Sequence, residues 1–282
     1  MPELPEVETT IRILRKKILG RTFVDFWTDH YRIDKKIKGL KIKEIRRKGK
    51  NILIDLSDKK TLLVHQKMTG HLLIGKWKKT KESWVSQVKG PLLEDSMNRF
   101  IHLIFFLDNR KMLALSDLRK FAKVELWNTN KLEKAKEIKN LGPEPLNKNF
   151  SLIKFKQAIR SKKGKIKEVL MDQNVIAGIG NIYSSEILWQ ADIHPLRKTN
   201  KLADEELKKI YKAMKNILEK SIQLQGESFS DYRTPEGKKG HFDTIRKVYK
   251  REGEPCPKCH TIIKRIKVGQ RSAYYCPSCQ LL

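Results

Sequence analysis

Cysteine is scarce in this chain, with four among 282 residues, all between positions 256 and 279. That excludes a small secreted scaffold stapled by disulfides, and in a reducing compartment such clustering points to metal. No stretch reaches the ~18 apolar residues that read as a membrane span. The N-terminus has no basic stretch followed by an apolar run, so no secretory leader is expected and the cytoplasm is the expected location. Acidic residues are also short, 32 Asp+Glu against 61 Lys+Arg, for a formal net charge of +29. Hydrophobic residues make up 39%, which excludes a disordered basic tail. The lysines are spread along the chain, so folding must place many of them on one face. Such a face attracts a polyanion and releases its condensed counterions. Nucleic acid is the first candidate partner and an anionic membrane surface the second, while a merely solvated lysine-rich surface is the plainer reading of the same charge.

The length suits two domains or a domain with an appendage. Residues 3–19 read as an amphipathic helix, with Leu4, Val7, Ile11, Leu14 and Ile18 at spacings of three and four. Pro2 suits a helix start, Glu3, Glu6 and Glu8 suit the positive end of the helix dipole, and Gly20 closes the helix. From 21 to about 128 the pattern turns to short strands: 22–27, 51–56, 61–65, 71–74, 100–107, 111–115 and 121–127. Their even spacing suggests a two-sheet sandwich or flattened barrel. Residues 76–96 are polar and irregular, and read as a mobile loop. Leu141-Gly-Pro-Glu-Pro-Leu146 breaks both periodicities and marks a boundary. Helical stretches follow at about 151–160, 165–172, 181–190 and 203–224, then a Gly/Ser-rich loop at 226–243 and the cysteine module.

Cys256-Pro-Lys-Cys259 and Cys276-Pro-Ser-Cys279 are two Cys-x-x-Cys knuckles 16 residues apart, the spacing of a four-thiolate Zn2+ site. Four protein ligands leave no open position, so the zinc is expected to be structural and to hold a hairpin with its tip at 268–270. Between two helices, Gly178 and Gly180 allow close backbone approach, Asn181 can cap the next helix, and the exposed N–H groups form a ready anion site. A tight turn between packed helices explains the glycines equally well; the nearby Lys162, Lys163, Lys165 and Lys167 favour phosphate.

Met1-Pro-Glu-Leu-Pro-Glu-Val-Glu8 closely resembles the start of bacterial formamidopyrimidine-DNA glycosylases, and further motifs follow in order. They are Lys50 within Lys-Gly-Lys-Asn-Ile-Leu, His65-Gln-Lys-Met-Thr-Gly70, Asp117-Leu-Arg-Lys-Phe121, Leu141–Leu146, Gly178-Ile-Gly-Asn-Ile-Tyr183, and Gly253-Glu-Pro-Cys256 through Cys279. The resemblance spans residues 2 to 279. It implies an α+β multidomain fold: an N-terminal catalytic helix and β-sandwich domain (1–140), a helix-two-turn-helix DNA-binding domain with a lesion-capping loop (141–245, loop 226–243) and a four-cysteine zinc finger (246–282). Damaged double-stranded DNA is the implied partner, held in a basic cleft between the domains by an enzyme acting as a monomer.

The implied activity is excision of oxidised purines followed by strand cleavage. Methionine removal exposes Pro2 as a secondary amine, which can attack the sugar and leave a cationic iminium as electron sink. The resemblance makes Glu3 the acid–base group and Glu6 its support. Lys50 becomes the proton donor in β-elimination, and Arg271 the phosphate grip that assists δ-elimination. It makes Met68, Arg119 and Phe121 the residues that fill the gap left by the flipped nucleotide, although composition alone would put Met68 and Phe121 in the core. It assigns Lys162, Asn181 and Tyr183 to backbone phosphates, and reading of the base to backbone groups around Glu227 to Tyr232. The chain departs from the pattern at Asn98, where a DNA-contacting histidine is common, and at Ala122, Ser230 and Gln66-Lys67. An endonuclease VIII-like enzyme for oxidised pyrimidines shares the architecture, and a non-catalytic zinc protein that binds damaged DNA is the reading from a different class.

Overall fold

The apolar stripe at the N-terminus folds as helix α1 (Leu4–Ile18), and Leu4, Val7, Ile11, Leu14 and Ile18 are all buried. Each such side chain contributes about 1.5–3 kcal/mol on burial. Arg15, Lys16 and Lys17 occupy the last turn, where the helix dipole favours cations. The structure, a computed structural model, describes residues 1–81, 83–228 and 232–282. The chain divides into two units, Met1–Lys139 with Leu224–Asp243, and Asn140–Gln223 with Thr244–Leu282.

In the first unit, α1 is followed by β1 (Phe23–Thr28), β2 (Ile42–Lys48), β3 (Asn51–Leu56), β4 (Lys60–His65), β5 (Gly70–Gly75), β6 (Trp77–Lys79), β7 (Trp84–Ser86), β8 (Ile101–Leu107), β9 (Met112–Asp117) and β10 (Lys123–Asn128). Two four-stranded antiparallel sheets, ordered β1-β8-β9-β5 and β10-β4-β3-β2, make the sandwich expected from the strand pattern. Ile52, Ile54, Leu62 and Val64 from one sheet and Leu72, Leu103, Phe105 and Leu115 from the other share a single core with α1. Short helices α2 (Thr129–Lys134) and α3 (Lys136–Lys139) end the N-terminal segment.

Two features depart from the sequence expectation. Strand β2 is absent from it: a register shift between Ile42 and Glu44 places the buried Ile42 and Ile45 three apart, and the remaining residues are charged, so period-two alternation is lost. The 76–96 segment, expected as a mobile loop, instead pairs β6 with β7 and continues into a 3-10 helix, Ser96–Phe100. Trp77, 2% exposed, and the buried Trp84 and Leu92 form a second core with Leu73, Ile101 and Ile104. Three spaced apolar residues in a polar segment are enough to anchor it.

The second unit contains α4 (Leu152–Arg160), α5 (Ile166–Met171), α6 (Asn181–Gln190), α7 (Asp204–Gln223) and a terminal hairpin, β11 (Lys264–Val268) with β12 (Arg271–Tyr275). Ser151 caps α4 by accepting from the N–H of Lys154 at 3.4 Å. Helix α6 is buried from Tyr183 to Trp189, whereas α7 is amphipathic, with Leu207, Ile210, Met214, Ile217 and Leu218 inward.

The segment after α7 was expected to lie with the helical domain, within 141–245. Residues 224–243 group by contact with the first unit. The N–H of Ile74 donates to the carbonyl of Pro235 at 2.7 Å, and Lys17 pairs with Glu236 at 2.7 Å. No helix among the described residues is long and apolar enough to cross a membrane.

Candidate functional site

In the first unit, Pro2 and Glu3 are buried at the start of α1. Glu3 and Glu6 form a reciprocal capping box, in which the N–H of Glu3 donates to Oε2 of Glu6 at 2.7 Å. Oε1 of the same carboxylate accepts from the N–H of Glu227 at 2.8 Å, and the Tyr232 hydroxyl donates to the Glu6 carbonyl at 3.1 Å. Glu6 therefore ties the residue beside Pro2 to the loop that follows α7. Gly226 is required there: its φ is +87°, and a Cβ would lie 2.8 Å from Glu6 Oε1. Residues 229–231, with Ser230 and the centre of the expected Glu227–Tyr232 reading segment, lie outside the described residues.

Lys50 is buried in the two-residue turn between β2 and β3, closed by the pairing of Lys48 with Asn51. Gly49, with φ +58°, makes that turn possible. Arg47 donates to Glu8 Oε2 at 3.0 Å and to the Gly49 carbonyl at 3.1 Å, linking the hairpin tip to the helix that carries Pro2. Burial works against ionisation of Glu8, but the hydrogen bond from Arg12 and the Arg47 charge outweigh it and hold its pKa below the ordinary value. His65 faces Asn51 across one strand pair and Lys123 across the other. Burial, then the charges of Lys67 and Lys50, push its pKa down from 6.5 to about 4.

Met68 is half-buried in the turn between β4 and β5, and Arg119 is exposed in the turn between β9 and β10. Phe121 is 54% exposed, which removes it from the core that its composition suggested. The Arg119 guanidinium lies 4.6 Å from the Phe121 ring centroid. Asn98 does not fit the DNA-contacting position. It is buried, its Oδ1 accepts from Trp77 Nε1 at 2.9 Å and its Nδ2 donates to the Leu92 carbonyl at 2.7 Å. Both ends of the amide serve the core that anchors 76–96.

In the second unit, the turn into α6 has Gly178 at φ +95° and is clamped by Gln173. The Gln173 Oε1 accepts from the N–H of Gly178 at 2.8 Å, and its Nε2 donates to the Ile179 carbonyl at 2.7 Å. Helix α6 begins at Asn181, as the sequence pattern places it, but its N-cap is Gly180 and not Asn181. Asn181 Oδ1 is buried with no protein partner. Lys162 is exposed, with Asp172 4.0 Å away. Tyr183 does not offer its hydroxyl to a phosphate: the side chain is fully buried and its oxygen lies 2.6 Å from Ser221 Oγ on α7. Lys167, also buried, donates to Ser184 Oγ at 2.9 Å and Ser185 Oγ at 2.8 Å, bracing the same helix start.

The sulfurs of Cys256, Cys259, Cys276 and Cys279 lie within 4.8 Å of one another, with separations of 3.9, 3.4 and 3.4 Å for 256–279, 259–276 and 259–279. Tetrahedral zinc with Zn–S near 2.3 Å requires sulfurs ~3.8 Å apart, so this set holds one structural zinc. Trp189 Nε1 donates to Cys256 Sγ at 3.4 Å, and Lys258 Nζ sits 4.5 Å from the Trp189 ring centroid. The carboxylate of Glu186 accepts backbone N–H bonds from Lys247, Val248 and Tyr249 at 2.7 to 2.9 Å, fastening the lead-in to α6. From this base the hairpin extends to a two-residue turn, Gly269-Gln270, where Val268 pairs with the exposed Arg271. Gly269 has φ +56°, and a Cβ there would lie 2.4 Å from Glu168 Oε1.

Gln173, Glu186 and Trp189 carry no sequence signal, because they act through folded contacts that no local pattern announces. His65 appears in the sequence only as the first residue of a motif, with no role of its own.

A proline-initiated helix on a β-sandwich, a two-turn helical unit and a four-thiolate zinc hairpin define the helix-two-turn-helix class of DNA glycosylases. Family models agree segment by segment: the formamidopyrimidine-DNA glycosylase N-terminal domain matches residues 1–124, its H2TH domain 141–233, and the zinc finger found in FPG and IleRS 253–281. The formamidopyrimidine-DNA glycosylase of Desulforamulus reducens is 39% identical over 290 residues, covering 99% of each chain. That of Herpetosiphon aurantiacus is 37% identical, covering 99% of this chain and all of its own. Among solved structures, the MutM (Fpg) protein of Thermus thermophilus aligns with TM-score 0.83 and 32% identity over 99% of this chain and 98% of its own. Lactococcus lactis Fpg bound to abasic-site DNA aligns with TM-score 0.86 and 31% identity over 99% and 100%. The chain belongs to the formamidopyrimidine-DNA glycosylase family.

Proposed function

We propose that this DNA glycosylase excises oxidised purines, 8-oxoguanine and formamidopyrimidines, from duplex DNA and then cuts the strand at the abasic site. The observation that carries the reading is the buried Pro2-Glu3 pair at the start of α1, with Glu6 locking it to the loop after α7. Methionine removal turns the Pro2 nitrogen into a secondary amine, which attacks C1′ of the deoxyribose while the C1′–N bond to the damaged base breaks. Loss of a proton from nitrogen and opening of the sugar ring, with Glu3 exchanging protons at the ring oxygen and leaving base, give an iminium at C1′. The iminium acidifies C2′, so the 3′-phosphate leaves by β-elimination and the 5′-phosphate by δ-elimination. Lys50 serves the first elimination as proton donor, and Arg271 holds phosphates for the second.

The target nucleotide must leave the stack first. Phe121 and Arg119, exposed on one turn, and Met68 on another are suited to fill the gap. Lys162 and Asn181 suit backbone phosphates, while Tyr183 shapes the α6 start from inside. Zinc, held by the four cysteines, supplies no chemistry; it stiffens the hairpin that presents Arg271.

The relatives' names and the Lactococcus lactis complexes with Fapy-dG DNA support purine lesions, although one complex of that protein holds an oxidised pyrimidine. Excision is therefore to be measured on parallel duplexes carrying 8-oxoguanine, formamidopyrimidine or thymine glycol. The expected result is faster release of both purines and a gap with phosphate at each end; faster release of thymine glycol overturns the purine assignment.

A further inference from the structure

Asp117, at the end of β9, is fully buried, yet its carboxylate gathers donors from three separate segments. Oδ1 accepts from Thr69 Oγ1 at 2.5 Å and from the N–H of Arg119 at 3.3 Å. Oδ2 accepts from the N–H of Ala122 at 2.8 Å and from the Tyr31 hydroxyl at 3.0 Å. Thr69 adjoins Met68, and Arg119 and Ala122 bracket Phe121. Thr69 Oγ1 also accepts from the N–H of Arg119 at 3.1 Å, joining the two turns directly. Tyr31 is in turn fixed through Thr28, whose hydroxyl accepts from the Tyr31 N–H at 2.9 Å and donates to the His102 carbonyl at 2.9 Å on β8.

Both turns are strained and tightly apposed. Lys67 and Lys120 have φ of +53° and +56°, and a Cβ on Gly70 would lie 2.6 Å from the Gln66 carbonyl oxygen and 3.1 Å from the Ala122 side chain. Burial and the Asp117 charge raise the pKa of the Tyr31 hydroxyl, so it stays protonated and donates.

We propose that Asp117 is the positioning residue that locks the Met68 turn and the Arg119–Phe121 turn into one register, so that the three side chains enter the base stack as a unit. The inference rests on the reading of those three residues as the gap fillers. It assigns Asp117 to eversion of the damaged nucleotide and not to the bond-breaking steps. Side chains that must insert together are sensitive to small displacements of their turns.

Stopped-flow fluorescence of 2-aminopurine beside an 8-oxoguanine in duplex DNA follows eversion, and cleavage of single-stranded abasic DNA, which needs no eversion, is the comparison. Asp117→Asn keeps the shape of the group but turns one acceptor into a donor. It is expected to slow the eversion phase about tenfold more than it slows single-strand cleavage, the scale of one lost charged hydrogen bond. Thr69→Val and Tyr31→Phe, each removing one donor, are expected to act in the same direction and less strongly. Equal slowing of both readouts across the three variants would assign Asp117 a purely structural role and overturn the proposal. So would wild-type eversion in Asp117→Asn while Arg119→Ala and Phe121→Ala slow it, which leaves the gap-filling reading standing. If neither Arg119→Ala nor Phe121→Ala alters eversion, that reading fails and the proposal with it.

Discussion

His65 shows how the charge balance reaches individual residues. Its Nδ1 accepts from the N–H of Lys67 at 3.0 Å, and its pKa of about 4 reflects burial first and neighbouring lysines second. The folded state keeps the ring neutral between about pH 6.5 and 4, where the unfolded chain takes a proton. The stability at stake is fully present above the unfolded pKa and is lost as pH falls towards the folded one. Urea melts at pH 7.5 and pH 5 test this: the wild type is expected to lose more stability on acidification than His65→Gln, and equal losses refute it. Asn98 shows the opposite lesson at the same level. The resemblance suggested a DNA contact near it, yet both ends of its amide bond inside the fold, to Trp77 and Leu92.

At the scale of elements, the zinc hairpin turns on a single glycine at its tip. Gly269 is confined by its positive φ of +56°, while a Cβ there would meet only the movable end of the Glu168 side chain. Gly269→Ala is expected to cost about 1–2 kcal/mol in backbone strain alone. It should also displace the tip that carries Arg271, so strand cleavage should fall roughly tenfold or more while zinc content, read by atomic absorption, stays at one per chain. Unchanged cleavage would dissociate the tip from the chemistry. The hairpin, its metal, α1 and most sandwich strands were legible in the sequence because each rests on a local period or spacing. What escaped depends on partners distant in sequence. Strand β2 hides its two isoleucines behind a bulge, β6 and β7 exist because Trp77 and Trp84 find a core, and the buried Tyr183 hydroxyl bonds to Ser221 on another helix. Likewise the candidate site was legible as residue types at motif positions, while the Glu6 bridge to Glu227 spans 221 positions and no pattern could announce it.

For the chain as a unit of function, the net charge of +29 supplies attraction to DNA without selecting a base. In the proposed function, chemistry falls to a few groups, Glu3, Lys50, Arg271 and above all the nitrogen of Pro2. The decisive measurement is tandem mass spectrometry of the adduct trapped by borohydride when protein lacking Met1 meets an abasic duplex. The account predicts a single reduced deoxyribose on the N-terminal Pro2, and none on protein that keeps Met1. An adduct on Lys50 or another lysine, or no adduct on protein that begins at Pro2, would contradict it.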